Sequence, residues 1–174
     1  GMSRYWIWAA VVVLLLLIAL PFHTLRSNNG VSFGSWAQWK IPPSDLEVAQ
    51  AAIASHQGEG RLLAPDEVAG VVSRMPHHPV LVNVREHYIA LLGASIPKEA
   101  VAQRQVLHSW LAGHVALRER AVVDSALNAL CVTTVVISTQ LAKDWGMGSV
   151  AKAQRVHSLN GFEIWRRPCD TGRS

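Results

Sequence analysis

RLLAPDEVAGVVSRMPHHPVLVNV, residues 61–84, is the stretch from which the fold class follows. RLLA is a short apolar run after Gly58 and Gly60, and PDEVAGVVSRM continues from it at once. Pro65 suits a first helical position, and Asp66 with Glu67 suits the positive end of a helix dipole, so the segment reads as a strand running into a helix. Pro79 then introduces VLVNV, a β-branched run that predicts a second strand. Two strands separated by a helix make a β-α-β unit, which implies a parallel sheet with a right-handed crossover.

Downstream, REHYIALLG continues as a short helix or turn stopped by Gly93. Pro97 starts a helix in which Val101, Val106, Leu107, Trp110 and Leu111 fall close to one face. A further helix over about 117–130 precedes CVTTVVIST, whose nearly continuous apolar residues predict a centrally buried parallel strand. QLAKDWGMG reads as a brief helix and a glycine-rich turn. Asn160-Gly161 between two alternating runs predicts a hairpin, because a type I′ turn needs positive φ at both central positions, and this hairpin should close the sheet edge. Residues 169–174 read as a flexible tail.

Upstream, Ser44 and Glu47 have the spacing of a capping box, with a helix expected to end near His56. Residues 25–43 are rich in Ser, Asn and Gly and form a connector, in which Phe33, Trp36 and Trp39 could line one side of a short turn. Before it, YWIWAAVVVLLLLIALPF at 5–22 carries no charge. As a helix it would rise roughly 27 Å against a hydrocarbon core of about 30 Å. Its ten Val, Leu and Ile side chains favour insertion by roughly 3 to 6 kcal/mol together. Residues 1–24 are therefore expected to be a transmembrane anchor, and 44–168 one α/β domain on that anchor. A cleaved signal peptide is the competitor, but the run is longer than a usual apolar signal core and no A-x-A-like site follows it. The flanking basic residues Arg4, Arg26 and Lys40 are nearly balanced and do not fix orientation.

The net charge of +4 is dispersed among acidic residues, which argues against nucleic-acid binding and leaves the lipid bilayer as the expected partner. Two cysteines, Cys131 and Cys169, are too few for a disulfide scaffold; one bridge and a buried, reduced Cys131 both remain open. The eight histidines invite a metal reading, yet His77 and His78 are adjacent and His108 and His114 are six apart, so neither pair shares a face. No metal site and no cofactor is expected.

The candidate binding residues are Asn83, Arg85, His87 and Tyr88, at the carboxyl end of the predicted second strand. Ligands of open α/β sheets bind in the crevice outside the carboxyl ends of strands. Arg85 would hold an anionic group and Tyr88 would stack on, or hydrogen-bond, a sugar. The structural alternative pairs Arg85 with a local carboxylate and packs Tyr88 under the next helix. No catalytic constellation stands out: Ser138 and Thr139 lack a G-x-S-x-G elbow, and Gly146 and Gly148 do not complete a phosphate loop.

Leu63, Ala64, Pro65 and Val68 as an L-A-P-x-x-V entry, Arg85 and Tyr88 as an R-x-x-Y after the second strand, and the closing NGFEIWRR give the chain a family likeness. It resembles the C-terminal extracytoplasmic part of uncharacterised polytopic bacterial membrane proteins related to the GT-C class of lipid-sugar-dependent glycosyltransferases. The resemblance covers about residues 61–92 and the final hairpin. It implies a last transmembrane helix leading into a small α/β domain outside the bacterial inner membrane, with further transmembrane helices and a glycan or lipid-linked sugar as partners. The acidic catalytic residues of that class lie in an early loop that has no counterpart here, so the expected function is a non-catalytic accessory domain. The alternative is an independent single-span envelope protein that binds or modifies an anionic small molecule or sugar near Arg85 and Tyr88.

Overall fold

The computed structural model describes residues 41–83, 85–149 and 153–169. The apolar run at 5–22 and the connector aromatics lie outside these residues; no helix among the described residues is long and apolar enough to cross a membrane. The elements are α1 (Pro43–Ser55), β1 (Arg61–Leu63), α2 (Asp66–Val72), α3 (Glu86–Leu92), α4 (Lys98–Leu111), α5 (Arg120–Ala129), β2 (Val132–Ser138), α6 (Thr139–Trp145), β3 (Gln154–Leu159) and β4 (Phe162–Arg166), with 3-10 turns at Leu117–Glu119 and Met147–Ser149. The chain is α/β, built on a sheet of order β1-β2-β4-β3.

The expectation of a mostly parallel sheet is corrected. β1 and β2 are parallel, but β2 pairs antiparallel with β4, and β4 antiparallel with β3, so the sheet is mixed. Of the predicted strand VLVNV, the described residues 80–83 form one parallel bridge, Leu62 to Leu81. Leu62 N–H donates to the Val80 carbonyl and Val82 N–H to that of Leu62, each at 2.9 Å. The reason is the shortness of β1, which offers three residues to pair. Val80 then stands 62% exposed despite its β propensity.

The hairpin forms as Asn160-Gly161 demands, with φ of 51° and 80° at the two turn residues. It places β4 beside the central strand and leaves β3 at the edge. β2 itself is buried along most of its length, as its apolar run requires. Gly146 ends α6 with φ 56°, the left-handed cap its glycine supplies.

The capping box at α1 does not form. Pro43 occupies the first turn and Pro42 the cap, so Ser44 lies one residue inside the helix and accepts no capping bond. Glu47 turns to another partner: Asn160 Nδ2 donates to its Oε2 at 2.8 Å and to the Ser44 carbonyl at 3.3 Å. The start of α1 is thereby tied to the hairpin turn.

Successive residues of β2 divide the interior in two. Thr134 Oγ1 meets His56 Nδ1 at 3.0 Å, beyond the end of α1, whereas Val135 and Ile137 join Leu107, Trp110, Val123, Leu127 and Trp145 in one core. Adjacent strand residues point to opposite faces, so α1 with α2 covers one face and α4, α5 and α6 cover the other. Val132 joins the second core because Thr133 is an extra residue: Arg61 pairs with Val132, but Leu62 pairs with Thr134.

That bulge explains Gly60. A Cβ there would lie 2.0 Å from Thr133 Oγ1 and 2.6 Å from its Cβ. Gly60→Ala is expected to cost about 1 to 3 kcal/mol through overpacking. A urea titration of the single variant beside Gly60→Ala/Thr133→Gly checks this: recovery in the double variant is expected, and an additive loss would discard the steric account.

His56 links the first core to pH. Burial lowers its pKa from the ordinary 6.5, against hydrogen bonds to the backbone of Gly60 and Gly58 that raise it. The folded state thus binds a proton less readily than the unfolded chain. Its contribution is fully present above the ordinary value and is lost as pH falls below 6.5 through the folded value. Unfolding free energies between pH 7.5 and 5.5 should decline less steeply in His56→Gln than in the parent. Equal slopes would remove His56 from the acid sensitivity.

Candidate functional site

Because β1, the Leu81 bridge and β2 run parallel, their carboxyl ends share one edge of the sheet. The chain leaves β1 through Ala64 and Pro65 into Asp66, leaves the bridge through Asn83 toward Arg85, and leaves β2 directly into α6. Asp66 is the organising side chain. Its Oδ2 accepts the Glu86 backbone N–H at 3.2 Å, which seats the start of α3 beside the start of α2. Its Oδ1 stands 3.4 Å from His108 Nε2 on α4. One carboxylate therefore stands where α2, α3 and α4 meet at the strand ends.

Asn83 is buried at 5% exposure, and neither its amide nitrogen nor its oxygen has a hydrogen-bond partner among the described residues. An unpaired buried polar group costs about 1 to 3 kcal/mol, so this side chain does not stabilise the ligand-free fold. Arg85 is exposed and makes no ion pair among the described residues, contrary to the structural alternative in which it pairs locally. Tyr88 is 45% exposed. The side chain of His87 lies outside the described residues. The structure thus brings Asn83, Arg85 and Tyr88 to one short segment at the strand ends, beside the Asp66 and His108 pair.

Ser138, at the carboxyl end of β2, is already engaged: its Oγ accepts from Leu141 N–H at 3.3 Å and caps α6. No group of three or more His, Cys, Asp or Glu side chains among the described residues is placed to hold a metal ion.

No family model, curated protein or solved structure matches the chain. The assignment of this edge therefore rests on geometry and chemistry alone.

Asp66 and His108 are the members that sequence reasoning missed. In the sequence Asp66 reads fully as a dipole partner of α2, and His108 has no partner at helical spacing. The available signal is position: Asp66 follows β1 as directly as Asn83 follows the bridge, so both stand at the carboxyl ends of strands. His108 could not be placed without knowing how α4 lies.

Cys131 and Cys169 form a disulfide, with Cα atoms 5.1 Å apart. The reduced, buried reading of Cys131 is thereby corrected, and Cys169 is an anchored residue rather than the first of a loose tail; residues 170–174 lie outside the described ones. The bridge fastens the residue before β2 to the chain leaving β4. Next to it, Arg167 is 4% exposed and its Nη1 donates to the Val132 carbonyl at 2.8 Å, while Nη2 donates to Asn128 Oδ1.

Proposed function

We propose that this chain is a membrane-tethered extracytoplasmic α/β module that serves as an accessory domain of a glycosyltransferase-like polytopic membrane protein in the bacterial inner membrane. The disulfide is the observation that carries the location, because such bonds persist in oxidising compartments and are rare in the cytosol. The apolar run at 5–22 supports the tether, and the likeness of residues 61–92 and the closing hairpin supports the association with a glycosyltransferase-like membrane region.

The test uses the full chain in bacterial membranes. Alkylation with a mass-tagged maleimide should label no cysteine before reduction and two afterwards, and protease added to spheroplasts should digest the domain. Labelling without reductant, or protection of the domain, would place it on the cytoplasmic side and remove the proposal. The accessory role further expects the chain to migrate in mild detergent within a larger complex.

A second reading is favoured by the unpartnered Asn83 amide: the crevice binds an anionic sugar or similar small molecule, with Arg85 on the acid group. Glucuronate serves as probe. Saturable chemical-shift changes at Asn83 and Tyr88 are expected in the parent and should vanish in Arg85→Ala. The exposed position predicts a change in stability within about 0.5 kcal/mol. A collapsed melt would assign Arg85 to structure instead.

A further inference from the structure

Arg61 and Arg104 bring two positive charges together at the other end of β1. Arg61 opens β1, and Leu63, two residues on and so on the same face, belongs to the core that holds Leu107 of α4. Arg104 precedes Leu107 by three residues, close to one helical turn, and therefore shares its face. Strand and helix run in the same sense, since the Asp66 to His108 contact lies further along both. Arg104 is only partly exposed, and its Nε is fully buried without a hydrogen-bond partner among the described residues. Neither guanidinium forms an ion pair among the described residues.

This is an expensive arrangement for the free protein. Burial first, and then the like charge of Arg61, pull the Arg104 guanidinium below its usual value. A desolvated cation beside a second cation is destabilising unless an anion joins them.

We propose that Arg61 and Arg104 together form a binding site for a phosphate group, at the amino end of β1 and separate from the Asn83 crevice. Two guanidinium forks supply more directed donors than one carboxylate can accept, whereas the oxygens of a phosphate can take both. A phospholipid headgroup and a soluble phosphate compound present this same chemistry.

The experiment uses the full chain in a non-ionic detergent. One arm titrates inorganic phosphate; the other compares mixed micelles containing phosphatidylglycerol with those containing phosphatidylcholine. Saturable binding in the first arm alone assigns a soluble phosphate, in the second alone a headgroup, and in both a site for which the phosphate group suffices. Arg61→Met and Arg104→Met should each weaken that binding by about tenfold or more, the loss of one charge-assisted hydrogen bond, while Arg118→Met leaves it unchanged. Absence of binding in both arms, or parent-like affinity in either folded variant, overturns the proposal. Should Arg104→Met not fold, Arg61→Met decides.

Discussion

Replacing Cys131 and Cys169 together by Ser is expected to lower the unfolding free energy by about 4 kcal/mol. The bridge spans a sequence separation of 38 residues, and the chain-entropy relation for a loop of that length gives roughly this value at 25 °C. The closed loop contains β2, α6, β3 and β4, so the unfolded chain without the bridge gains freedom over most of the sheet. For a domain of this size the melting temperature should fall by roughly 10 to 15 °C. Urea titrations with and without reductant check the origin of the effect: the parent should be destabilised by reductant to the level of the Ser variant, which should itself be indifferent. A difference under about 1 kcal/mol would mean that the surrounding packing already restrains both ends.

Trp110 carries the second large effect. Its side chain is fully buried, and its ring meets that of Trp145 edge to face at a centroid distance of 5.5 Å and 63° between planes. Trp110→Ala should cost about 3 to 5 kcal/mol, since the void would open where α4 meets the core under β2. Trp110→Phe is expected to cost far less. The indole Nε1 is buried without a partner among the described residues, so removing it relieves about 1 to 3 kcal/mol of desolvation that offsets much of the lost area. Denaturant midpoints of the two variants test the pair. Equal losses would show that Nε1 has an unrecognised acceptor.

What could be read in advance follows the range of the physics involved. Asn160-Gly161 specifies its turn through the backbone freedom of two residues, and CVTTVVIST specifies a buried strand through continuous burial, so both were legible locally. VLVNV was not, because whether a β-branched run becomes a strand depends on the length of the partner edge, here the three residues of β1. Glu47 looked like half of a capping box until a contact from Asn160, 113 residues away, claimed its carboxylate. The candidate edge was legible where strand ends mark it, at Asn83 and Arg85, and illegible where α4 delivers His108 from the side. The sheet is mixed for a related reason: β2 pairs parallel with β1, whereas its other neighbour is set by the late hairpin and runs antiparallel.

The order β1-β2-β4-β3 also governs when the domain can come into being. Synthesis delivers β1 and its helix early, yet β2, the strand on which both cores rest, gains its second neighbour only when residues 162–166 emerge. Cys169 follows three residues later still. Until then one long edge of the central strand is open, and the nascent chain has no complete sheet to close around. A chain that stays unpaired until its last strand arrives is well suited to being threaded through a narrow channel in extended form. It is equally exposed, during that interval, to pairing with the wrong edge.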